Sequence, residues 1–156
     1  CFKEFQRAKM YNMIQTTYRA SGLDREQDTN EQKLEITEIA FKEGLHLLEK
    51  KAYKEATLKF QTAAVEQRFN LRSQILSIKA SLALDDFESA CFYFDKLNLQ
   101  DNRLDAEALE TLYSMAARYC LENKKSEALK LFQLIAKNDI SFGDVIHQID
   151  LLSSEN

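Results

Sequence analysis

Proline and tryptophan are absent from the sequence, and glycine occurs only three times, as Gly22, Gly44 and Gly143. A sandwich or barrel of short strands reverses its chain every few residues and draws on glycine and proline to do so; this chain has little material for it. The glycines are also too far apart for a phosphate-cradling loop. Cysteine is scarce as well. Cys1, Cys91 and Cys120 are odd in number and have no metal-ligand or redox spacing, which excludes a disulfide framework and a zinc ribbon; Cys91 and Cys120 read as small buried hydrophobes. The only histidines, His46 and His147, sit far apart without a visible partner, so neither a metal cluster nor a nucleophile with its base is expected. No run approaches the roughly 20 apolar residues of a membrane span. The formal net charge is −4, with 21 basic against 25 acidic residues, and this argues against nucleic acid as a partner.

What the chain does have is helix-forming material. Alanine, leucine, lysine, glutamate and glutamine abound, so the expected fold class is all-α. The pattern predicts an amphipathic helix over residues 1–22, with Phe2, Phe5, Met13 and Ile14 on one face, followed by a polar linker over 23–30. From 31 to 156 it predicts helical hairpins: about 31–50 with 53–67, 71–84 with 86–97, and 104–122 with 124–137. Asp85-Asp86, Asp105 and Asn123 serve as turn or cap residues. The Lys50-Lys51 and Lys124-Lys125 pairs complement helix C-termini and form no basic stripe. Phe142, Val145, Ile146, Ile149 and Leu152 form one apolar stripe over 141–152, as expected of a capping helix that seals the last hairpin and faces water on its other side. Because the chain opens on Cys rather than Met, it reads as a piece of something longer, or else as a processed product whose Cys1 carries a lipid.

A recurrence runs through the hairpins. Gly44, Leu47, Tyr53, Ala56 and Phe60 are followed by Phe87, Ala90 and Phe94, and then by Ala116, Tyr119, Ala128 and Phe132. Ala56, Ala90 and Ala128 each have an aromatic four positions later, and Ala56 and Ala90 are 34 residues apart in the numbering. This resembles the tetratricopeptide repeat family, whose period is about 34 residues. Leu112, Met115, Ala116, Tyr119, Ala128 and Phe132 match the family best. Ala40 and Glu43 stand where bulky apolar residues are usual, and Gln74, Ser77, Ile78 and Ser81 match weakly. No proline closes the hairpins, and the longer Ala90 to Ala128 interval is expected to loop out between Leu99 and Asp105.

The resemblance implies a helical-hairpin superhelix of about three repeats, with an extra N-terminal helix and a C-terminal cap. It implies that the first helices of the hairpins line a concave face, which would place Phe41, Leu45, Leu48, Ile75, Lys79, Leu82, Tyr113 and Ala117 there as a mainly apolar groove. Phe41, Leu45, Leu76, Glu110 and Ser114 occupy the places where a clamp for acidic chaperone tails would carry its polar and basic residues, so that ligand is not expected. The expected function is a protein-interaction scaffold, not an enzyme, that takes a helical or extended apolar segment of a protein or peptide partner, without cofactor, metal or small-molecule substrate. The alternative is a structural module in which residues 1–22 mediate homodimerisation or follow an upstream membrane segment. The expected location is the cytoplasm, or the soluble part of a membrane-tethered protein.

Overall fold

The computed structural model describes residues 25–99 and 103–154, with side chains from Thr29 onward. Among the described residues there are seven α-helices and no strand: α1 (Arg25–Glu49), α2 (Tyr53–Ala63), α3 (Gln67–Ala83), α4 (Phe87–Asp95), α5 (Ala106–Leu121), α6 (Lys125–Asn138) and α7 (Val145–Ser154). The all-α expectation is met. The chain divides into two units, 1–36 and 37–156. The helix expected over 1–22 lies outside the described residues. Residues 25–30, expected as linker, are the opening turns of α1. Arg, Glu and Gln are good helix formers, and no glycine or proline interrupts residues 25–30, so propensity carries the helix where the apolar period is missing.

In the second unit, α2 packs against α3, α3 against both α4 and α5, α5 against α6, and α6 against α7. The part of α1 from Thr37 onward joins them through Phe41, whose ring stacks on Phe69 at 5.1 Å and tilts against Phe60 at 5.9 Å. Connections of three residues follow α1, α2, α3 and α5. Such short links favour antiparallel packing of consecutive helices.

Three of those connections are the same turn. Lys51, Asp85 and Asn123 each adopt a positive φ, of 62°, 55° and 59°. The residue after each donates its N–H to a carbonyl five residues back: Ala52 to Leu47 at 2.9 Å, Asp86 to Ser81 at 2.9 Å and Lys124 to Tyr119 at 2.8 Å. This left-handed closure satisfies carbonyls that a helix end would otherwise leave unpaired. Five residues beyond each of these positions stands Ala56, Ala90 or Ala128, the fourth residue of its helix and 0 % exposed in every case. The longer Ala90 to Ala128 interval follows from a connection of ten residues after α4, partly offset by a shorter α4 and α5.

Side-chain caps reinforce two of the helix starts. Asp105 accepts from the Ala108 N–H at 2.8 Å, and Asp86 accepts from the Ser89 N–H at 3.1 Å and from its hydroxyl at 2.6 Å. The Ser89 hydroxyl, then its N–H, hold the Asp86 carboxyl below the usual range. Asp85-Asp86 is thus a turn and a cap, as its sequence suggested.

The core gathers Ile75, Ile78, Ala90, Leu112, Met115, Ala116, Phe132 and Ile135, with Val145 and Leu152 from α7. Burying its larger side chains stabilises by roughly 1.5–3 kcal/mol each. The weakly matching residues of α3 are also buried: Gln74, Ser77 and Ser81 lie inside with Ile78. The polarity of Gln74 and Ser77 is accommodated by Gln61, whose amide donates to Gln74 Oε1 at 3.0 Å and to Ser77 Oγ at 2.9 Å.

Candidate interaction groove

The eight side chains expected on one face divide by burial. Phe41 and Ile75 are core residues, 6 % and 3 % exposed, and offer nothing to a partner. The register of α1 turns Phe41 towards Phe60 and Phe69, while Ile75 packs with the α5 residues of the core. Leu45, Leu48, Leu82 and Tyr113 are half-buried, and Lys79 and Ala117 are exposed. Lys79 and Leu82 come together with Glu110, Thr111 and Ser114 of α5 in an open cleft of about 160 Å³ between α3 and α5.

That cleft is more polar than the sequence suggested. Lys79 Nζ pairs with Glu107 Oε1 at 3.4 Å across it, while the Thr111 and Ser114 hydroxyls are spent on the carbonyls of Glu107 and Glu110. Its lining has one aliphatic side chain of any size, Leu82. Phe41 and Leu76 are buried, and Glu110 lines the cleft.

Tyr113 looks elsewhere. Its ring meets Phe132 edge-on at 5.3 Å and tilts against Phe142 at 6.2 Å, and its hydroxyl donates to Asp144 Oδ1 at the entrance of α7. That bond, then partial burial and the negative charge of Asp144, raise the Tyr113 phenol to about 12. The same bond, helped by Gln148, lowers the Asp144 carboxyl. Further along α5, Tyr119 is pushed up mainly by burial and next by its contact with the Cys91 sulfur at 3.8 Å. Arg118 reaches back to Asp85 in the α3–α4 turn and along its own helix to Glu122 at 3.2 Å, fixing that turn against α5.

A second surface went unread in the sequence. Between α1 and α2 lies an open, largely apolar depression of about 640 Å³ lined by Lys42, Glu43, His46, Leu47, Glu55, Leu58 and Lys59. Leu58 is 67 % exposed, and Glu43 and Lys59 pair at 2.9 Å on the rim. The available signal was the place of Leu58 on α2, off the face marked by Ala56, Phe60 and Ala63. Among the described residues no group of three or more His, Cys, Asp or Glu side chains is gathered as a metal site. No helix among them is long and apolar enough to cross a membrane.

No protein-family model, curated protein or solved structure matches the chain.

Proposed function

We propose that this chain is a protein-interaction scaffold: a stack of helical hairpins of the tetratricopeptide kind that holds a helical or extended segment of a partner along the face of α3 and α5. The observation that supports this reading is the threefold return of one turn and one fully buried alanine, at Lys51 and Ala56, Asp85 and Ala90, and Asn123 and Ala128. Recurrent hairpins of this kind place their first helices side by side, and the packing of α3 on α5 is of that sort. The cleft there asks for a mixed ligand, with an apolar side chain for Leu82 and polar groups for Lys79 and Glu110. Catalysis has no part in this reading.

The test is selection of ligands for the full chain from a displayed random-peptide library, followed by the double substitution Lys79→Glu and Ala117→Glu. Both positions are exposed, so helicity is expected to survive. Loss of the selected peptides with unchanged circular dichroism supports the groove. Undiminished binding removes it.

A further inference from the structure

α7 is lightly held. Of its ten residues only Val145 and Leu152 are buried, while Ile146 and Leu151 stand 44 % and 46 % exposed on its other side. The expectation of a cap with a water-facing polar side is therefore met only in part. The connection before it runs through Ile140, 70 % exposed, and Gly143, which turns the chain at φ +53°. Few buried apolar contacts at a chain segment mark the low end of local stability. Against this background one long-range polar contact stands out. The Tyr113 hydroxyl of α5 donates to Asp144, immediately before α7, and the other oxygen of that carboxylate accepts from Gln148 Nε2 at 3.0 Å within the first turn of α7.

We propose that Tyr113 is the latch of a detachable cover: α7 leaves α6 as a unit while α5 and α6 stay folded, and the bond from Tyr113 to Asp144 sets how often it does so. The geometry suits a latch because Asp144 has two tasks. One oxygen ties the segment to α5, and the other holds Gln148 within the first turn of α7, so losing Tyr113 loosens the attachment and leaves that internal contact in place. Tyr113 itself is held by the Phe132 ring on α6, which stays behind when α7 departs. Opening uncovers the α6 side of the cluster that Val145 and Leu152 share with Leu131, Phe132 and Ile135. The chemistry of that uncovered surface is given by its present occupant: it fits a short amphipathic helix with apolar side chains seven residues apart, preceded by a carboxylate for the tyrosine. This inference stands apart from the α3–α5 groove and survives its failure.

The experiment is hydrogen–deuterium exchange, read by mass spectrometry, on the full chain and on Tyr113→Phe, Asp144→Ala and the double variant. A hydrogen bond to a charged group is worth enough to change a local opening equilibrium by roughly tenfold. Amides of 145–154 are expected to exchange about tenfold faster in Tyr113→Phe, with those of 106–138 unchanged. The double variant is expected to exchange no faster than Asp144→Ala alone, since the bond is already gone. Unchanged exchange over 145–154 in Tyr113→Phe overturns the latch. So does acceleration spread equally over 106–138, which makes Tyr113 a packing residue of the α5–α6 pair, and so do additive effects in the double variant.

Discussion

At the scale of single residues, close approach is worth more here than local preference. Gly44 sits inside α1, where alanine would ordinarily be better by about 1 kcal/mol. A Cβ at that position would meet the Phe60 ring at 2.7 Å, and Phe60 is fully buried beside Phe41, so the ring has little room to yield. Overpacking of this kind costs about 1–3 kcal/mol. Gly44→Ala is therefore expected to destabilise the chain, read as a lower urea midpoint with unchanged slope, despite its gain in helix propensity. A stabilised variant would contradict the contact. Gly44 was legible from its place in the recurring pattern; the burial of Phe41 was not, because an apolar period gives a face and leaves the rotation of that face open.

Tyr113 carries a pH dependence of known sign. Its phenol, raised to about 12, is above the ordinary value of 10.0, so the folded state favours the neutral hydroxyl. The contribution is fully present below about pH 10 and is lost as pH rises towards 12. In an NMR titration of labelled tyrosine rings, Tyr113 is expected to ionise late and to move back towards 10 in Asp144→Asn. An unshifted Tyr113 in the unsubstituted chain would show that its hydroxyl is not held.

At the scale of elements, the turns are the best-determined feature and the chain ends the least legible. Asp85 and Asn123 suit a left-handed turn because their short polar side chains tolerate it, and both were readable as punctuation. Lys51 carries a helix-forming side chain in the same backbone conformation, at φ 62°, where a Cβ is costly. Lys51→Gly is expected to raise stability by about 1 kcal/mol, measured by thermal or urea unfolding, whereas Lys50→Gly, in the same turn but without a positive φ, is not. A loss of stability in Lys51→Gly would mean that the turn depends on its side chain. The opening of α1 was missed for the converse reason: residues 25–30 have no apolar face to reveal a helix, only residues that favour one. The outward side of α7 was misjudged because Ile146 belongs to the apolar stripe by spacing yet lies 44 % exposed.

At the scale of the whole molecule, the helical class followed from composition and the hairpin order from periodicity, since both depend on local rules that act along the chain. The groove depends on which helices become neighbours across it, and this is where the residue pattern was least informative. Lys79 and Leu82 reach the α3–α5 cleft, Phe41 and Ile75 go to the core, and Tyr113 turns to the entrance of α7. Glu110, Thr111 and Ser114 complete the cleft, and of these only Glu110 and Ser114 had figured in the sequence reading, as replacements for a clamp. The most direct measurement of the scaffold role is photo-crosslinking of the full chain in an extract of its source, with a photoreactive residue at Ala117, exposed on α5 and proposed for the groove, or at Lys130, exposed on α6. The expected result is a discrete protein adduct from Ala117 that Lys79→Glu abolishes, with none from Lys130. Equal adducts from both positions, or none from Ala117, would contradict it.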